Sequence, residues 1–104
     1  MTRLVVTADA ETDTNDILEY LEREAGSRIA EDYGRRFRAA IVRFVDLPET
    51  GARRPALGQN VRIAIVYPYI FVYEYAPRED VVTLLRVLHG RRNITRELLK
   101  TKRR

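Results

Sequence analysis

The sequence predicts an α+β fold: a two-helix hairpin packed on a small, mostly antiparallel four-stranded sheet, in the order β-α-α-β-β-β with a short closing helix. Three observations carry this. Apolar residues recur at helical spacing through the first half of the chain and at strand spacing through the second. The change of period falls in a stretch rich in Pro and Gly, between Pro48 and Gly58. A single glycine, Gly26, divides the helical half into two pieces too closely linked to be anything but antiparallel neighbours.

The elements follow in order. Residues 3–7, Arg-Leu-Val-Val-Thr, are short and β-branched and predict a first strand. Ile17, Leu18, Leu21 and Ala25 share one helical face, which predicts a helix from about Thr12 to Ala25. Thr12, Asp13 and Thr14 offer N-cap oxygens, the early acids suit the positive end of a helix dipole, and Gly26 ends the helix. Ser27 is placed to cap a second helix from Arg28 to about Asp46. Its stripe is Ile29, Tyr33, Phe37, Ile41, Phe44 and Val45, and its solvated face carries Arg35, Arg36, Arg38 and Arg43. Pro48 stops it, and 48–60 reads as loop. Val61, Ile63 and Ile65 then alternate as a strand broken at Tyr67-Pro68. Tyr69–Tyr75 forms the next strand, 76–80 a turn, and Val81–Leu88 an almost unbroken apolar run that suits a strand buried on both faces. Gly90 ends it, and Ile94 to about Thr101 predicts a short helix. With no repeat and no linker, residues 1–104 read as one domain with a basic tail from about residue 94.

Composition narrows the chemistry. The chain has no cysteine and one histidine, which excludes disulfides, thiolate metal sites and a multi-histidine metal centre; no cofactor is expected. No apolar run near the start is long enough for a signal peptide or membrane span, so the expected setting is the reducing cytoplasm, away from membranes. The net charge of +4 conceals an asymmetry. Residues 86–104 hold eight basic groups and one acid, whereas 9–24 hold seven acids and one base. The basic end has two readings: contact with an acidic or polyanionic partner, or simple solvation.

Tyr69-Ile70-Phe71-Val72-Tyr73, a short turn and then Leu85-Arg86-Val87-Leu88-His89-Gly90-Arg91-Arg92-Asn93 resemble the ParE toxins of the RelE/ParE superfamily. The specific match covers about residues 61–94, and the element order fits the family over nearly the whole chain. Asn93 departs from the family's usual Asp, but either can cap a following helix. The resemblance implies the toxin of a bacterial type II toxin–antitoxin pair. ParE toxins poison DNA gyrase and arrest growth, and a ParD-like antitoxin neutralises them by wrapping the toxin with its C-terminal segment. DNA is then met only indirectly, through the antitoxin or gyrase. RelE-type relatives instead cut messenger RNA on the ribosome.

That alternative makes demands on the residues. Metal-free RNA cleavage must activate a 2′-hydroxyl, stabilise the phosphorane and protonate the leaving oxygen. Against the RelE pattern, Arg62 lies near a lysine position and Arg92 matches a phosphate-contacting arginine. Pro68-Tyr69-Ile70 puts isoleucine where the catalytic arginine belongs, and no tyrosine follows Arg92. Arg62, His89 and Arg92 are therefore the candidate catalytic residues of an incomplete set. His89 also has two readings, a general base with a neutral-range pKa or a hydrogen-bonding cap on the last strand; its possible carboxylate partners in sequence are Glu74 and Glu97. Tyr67, Tyr69, Tyr73 and Tyr75 read either as a base-stacking surface or as a packing layer.

For binding, Arg86, His89, Arg91 and Arg92, with Arg62 nearby, are the expected target contacts, forming one basic patch at one end of the sheet. The antitoxin is expected to lay an amphipathic helix on the two-helix face, beside Ile17, Leu21 and Phe37, with the acidic Glu19 and Glu22 meeting a basic stretch. A third reading, a non-toxic relative kept as its antitoxin's regulatory partner, stays open.

Overall fold

The computed structural model describes residues 1–100. Strand β1 (Arg3–Val6) leads into helices α1 (Ala8–Ala25) and α2 (Ser27–Asp46), then strands β2 (Ala52–Arg53), β3 (Val61–Val66), β4 (Tyr69–Ala76) and β5 (Val81–His89), and a one-turn helix α3 (Arg96–Leu99). The fold is α+β as expected, with two helices on one face of the sheet. The sheet has five strands rather than four, in the order β1-β5-β4-β3-β2. Only the β1–β5 pairing is parallel. The extra strand is the two-residue β2, inside the segment read as loop, where Ala52 pairs with Ile63 and Arg53 with Arg62. Two residues carry no periodicity, so only the approach of β3 reveals them. Among the described residues no helix is long and apolar enough to cross a membrane.

Helix α1 begins at Ala8, four residues ahead of the expected Thr12. Its N-cap is Thr7, whose hydroxyl accepts from the Ala10 amide at 3.0 Å. The residues expected as caps lie inside the helix, where the Thr14 hydroxyl donates back to the Ala10 carbonyl. Gly26, at φ +95°, ends α1 and starts α2, a left-handed conformation that glycine adopts without strain. Ser27 does not cap α2; it is the helix's first residue and donates to Glu22 at 3.1 Å. The expected terminal helix shrinks to Arg96–Leu99, and Thr101 and the basic Lys102, Arg103 and Arg104 lie outside the described residues.

Between helices and sheet lies an aromatic core. Phe37 meets Tyr33, Tyr69 and Phe71 edge-on, with ring centres 5.2 to 6.1 Å apart, and Phe44 stacks on Tyr73 at 4.3 Å. Tyr69 and Tyr73 are thus packing residues, whereas Tyr67 is exposed, so the four tyrosines do not form one stacking surface. Burial raises the pKa of Tyr73 despite opposing contributions from the Gly51 amide and Arg62. The Tyr73 hydroxyl donates to the Pro48 carbonyl at 2.8 Å and accepts from the Gly51 amide at 3.0 Å, so one buried phenol pins the α2–β2 turn. Gly51 permits this approach, since a Cβ there would collide with the Tyr73 hydroxyl and sit 2.6 Å from the Ile63 carbonyl.

The opposite face of the sheet is covered more thinly. Val61, Ile63 and Val72 form a second small core under Leu57, Ile70 and Leu85, with Ile94 and Leu99 of the C-terminal segment laid across it. A register shift beside Val72 and Tyr73 leaves Arg86 opposite Val72, on this outer side.

Candidate functional site

Strand β1 covers β5 only from Val81 to Leu84, so the next backbone groups of β5 need other partners. Helix α1 and its cap supply them. The Thr7 hydroxyl donates to the Leu85 carbonyl at 2.9 Å, and the Val87 amide donates to Asp13 Oδ2 at 3.0 Å. Arg86 joins the same carboxylate, with Nε and Nη2 donating to the two oxygens at 2.7 and 2.9 Å. Its Nη1 donates to the Leu98 carbonyl at 2.9 Å. The hydrogen bonds to Asp13 raise the Arg86 pKa further above its ordinary value, against the opposing effect of burial. With its side chain only 16% exposed, Arg86 is engaged inside the molecule rather than offered to a target. It ties α1, β5 and the C-terminal segment together.

His89 stands opposite Tyr69 at the end of β5 and meets its ring edge-on, 5.6 Å between centres, on the helix-facing side. Its Nδ1 accepts from the Arg91 amide at 3.0 Å, which fulfils the capping role. Neither carboxylate considered for it forms a hydrogen bond or ion pair with it among the described residues. Glu74 sits five residues further along β4 from Tyr69, about 17 Å at strand rise, and Glu97 pairs with Lys100. The Arg92 amide donates to the His89 carbonyl and the Gly90 amide to the Pro68 carbonyl, so the β5 end forms a fixed turn against the β3–β4 hairpin. A Cβ at Gly90 would lie 3.1 Å from the Pro68 carbonyl oxygen, which makes glycine the fitting residue at that contact.

This turn borders an open cleft of about 490 Å³ lined by Ile65, Tyr67, Pro68, Ile70, His89, Gly90 and Arg91. Through Ile70 it adjoins a smaller cleft of about 270 Å³, bounded by Arg54, Leu57, Ile63, Arg92 and Ile94. Arg62 does not join this group, because its guanidinium donates to the Glu49 and Gly51 carbonyls at 2.9 Å and braces the loop after α2. The single basic patch expected from Arg62, Arg86, Arg91 and Arg92 thus divides. Two arginines hold the fold, and two stand on the outer face of the sheet.

On the helix side, a hollow of about 630 Å³ runs between α1 and α2. Glu19 and Glu22 line it beside Leu18, facing Arg35 and Arg38 of α2. The α1 wall of the hollow is thus acidic, while the α2 wall carries Glu31 beside Arg35 and Arg38. Ile17 and Leu21 are half-buried and turned toward the core. Phe37 is 2% exposed and cannot serve as a contact residue, which corrects the expectation that it flanks a docking groove. A phenylalanine in mid-stripe lies at the centre of the packed face, where burial is greatest.

A family model for the ParE toxin of the type II toxin–antitoxin system parDE matches residues 4–94. The chain belongs to the ParE toxin family. No curated protein matches its sequence. Among solved structures, the chromosomal ParDE toxin–antitoxin system from P. aeruginosa superposes with a TM-score of 0.71 and 19% identity, over 86% of this chain and 96% of that one. The isolated E. coli RelE toxin superposes with a TM-score of 0.58 and 18% identity, over 89% and 88%. At such identities these likenesses speak for a shared fold.

In this ParE-family chain, the sequence pointed to Asp13 only as a helix cap and to Tyr67 only within a stacking or packing layer, and it did not single out Arg54 or the exposure of Ile65. Asp13 had a readable signal: it continues the Ile17–Leu21 stripe at a spacing of four, and a carboxylate on a core-facing stripe calls for a buried partner. Ile65 and Tyr67, 64% and 79% exposed, follow only from where the sheet's covering ends.

Proposed function

We propose that this ParE-family toxin acts in the cytoplasm by binding DNA gyrase and stalling it, without catalysis of its own, and that a ParD-like antitoxin neutralises it. The observation that carries the reading is the chemistry of the outer clefts. Isoleucines 63 and 70 form their walls, arginines stand at their rims, and among the described residues no carboxylate lines either. The one histidine has its Nδ1 committed to the backbone, and among the described residues no acid pairs with it. General acid–base catalysis needs a positioned pair, whereas a binding surface needs only shape and charge. In a supercoiling assay with purified gyrase, the protein should abolish supercoiling and accumulate cleaved DNA. Unaffected gyrase together with translation-dependent cleavage of messenger RNA would replace this reading with the RelE-type one.

The α1–α2 hollow is the proposed antitoxin seat, with Glu19 and Glu22 attracting basic side chains and Ile17 and Leu21 supporting the wall from behind. Glu19→Lys combined with Glu22→Lys should weaken the antitoxin complex about tenfold at low salt, and the loss should shrink as salt rises. Calorimetry with the purified antitoxin reads this directly. An affinity and salt dependence equal to those of the unaltered protein would place the antitoxin elsewhere.

A further inference from the structure

Ile65 and Tyr67 stand beside Arg91 on the outer face of the sheet, and that conjunction calls for a partner. Isolated apolar side chains are ordinary on protein surfaces. Here an isoleucine and a tyrosine, each more than half exposed, border one cleft together with Pro68 and the half-buried Ile70. Ile70 carries the apolar floor on into the second cleft, where Arg54 and Arg92 stand at the rim. Among the described residues, none of Arg54, Arg91 and Arg92 has a salt-bridge partner. Their backbones are nevertheless fixed, Arg54 by donation to the Val61 carbonyl and Arg91 and Arg92 by the turn at His89. Three cations held on rigid supports around an apolar floor cost little side-chain ordering when an anionic guest arrives.

We infer that this continuous surface, from Tyr67 across Ile70 to Arg92, seats an acidic, extended protein segment that carries apolar anchors. Carboxylates of the segment meet Arg54, Arg91 and Arg92, and its apolar side chains lie on Ile65, Ile70 and the Tyr67 ring. The inference rests on the reading that the protein works by holding a protein partner. The surface itself favours a peptide over a nucleic acid. Single strands are bound by successive aromatic platforms along a cationic track, and here one ring faces a floor of isoleucine. Tyrosine and arginine around an apolar centre are the residue types that dominate protein–protein binding energies.

The test is an NMR titration of the isotope-labelled protein with three probes. These are a short synthetic peptide of glutamates interrupted by leucine and phenylalanine, the same peptide with lysine for glutamate, and a single-stranded oligonucleotide. The acidic peptide should shift amides at 63–70 and 89–94. Tyr67→Ala, or Arg91→Glu with Arg92→Glu, should weaken it about tenfold, with circular dichroism showing the fold intact. Equal binding of the lysine peptide, shifts elsewhere, or stronger binding of the oligonucleotide at the same amides would overturn the inference. The same variants in the gyrase assay separate it from the functional reading. Inhibition that survives both changes removes the surface and keeps the function. A wild-type protein without effect on gyrase removes the function, and the peptide titration then decides the surface alone.

Discussion

Asp13→Ala is expected to lower the free energy of unfolding by about 3 kcal/mol, read from urea denaturation at neutral pH. The carboxylate answers three donors, two on Arg86 and the Val87 amide, and the ion pair is only 13–16% exposed. Removing it leaves a half-buried guanidinium with the Leu98 carbonyl but no counter-charge, and a strand amide without a partner; breaking a buried pair from one side costs more than the pair contributes as a whole. The residual exposure keeps the estimate at the low end of that range. Hydrogen exchange should also quicken around residues 94–99, because Arg86 holds the Leu98 carbonyl. Replacing both partners by apolar residues, Asp13→Leu with Arg86→Met, should recover much of the loss. A single-mutant cost under about 1 kcal/mol would mean that the pair behaves like an exposed one.

Phe37→Ala should cost about 4 kcal/mol by the same measurement, the range found when a fully buried aromatic ring is truncated. Its ring contacts Tyr33 and Tyr69 at the edge of the aromatic layer and Phe71 at its centre, so three neighbours lose a partner together. Phe37→Leu keeps most of the volume and should cost well under half as much. Val42→Ala, on the exposed side of the same helix, should change stability by no more than about 0.5 kcal/mol. Similar losses at Phe37 and Val42 would mean that α2 packs on a different face. Because Phe37 lies in the core, its truncation should affect antitoxin binding only through the amount of folded protein.

Much of this architecture could be read along the chain because it rests on local rules. The spacing of Tyr33, Phe37, Ile41 and Phe44 makes α2 amphipathic wherever it docks, and the alternation from Val61 to Ile65 makes β3 a strand whatever its neighbours. Gly26, Pro48 and Gly90 interrupt the backbone for reasons internal to those residues. The Arg86–Asn93 string, likewise local, pointed to the family that the match over residues 4–94 then showed. The start of α1 was misplaced because Thr7 and Thr12 are equally good caps in isolation, and Thr7 prevails through its second bond, to the Leu85 carbonyl of a strand 78 residues away.

The roles of the charged residues lay beyond local rules. Arginines 62, 86, 91 and 92 look alike in a sequence, and each one's role depends on which acceptor the fold brings within about 3 Å. Arg86 finds Asp13 across 73 residues, Arg62 finds two loop carbonyls, and Arg91 and Arg92 stand over the outer clefts. The sequence by itself determined the element types, their order and the apolar face of each helix, because backbone preference and hydrophobic periodicity act over a few residues. Only the tertiary structure decided the parallel seating of β1 on β5, the fifth strand, the burial of Arg86 and the exposure of Ile65 and Tyr67. Those depend on contacts between residues far apart in the chain, whose formation no local preference encodes.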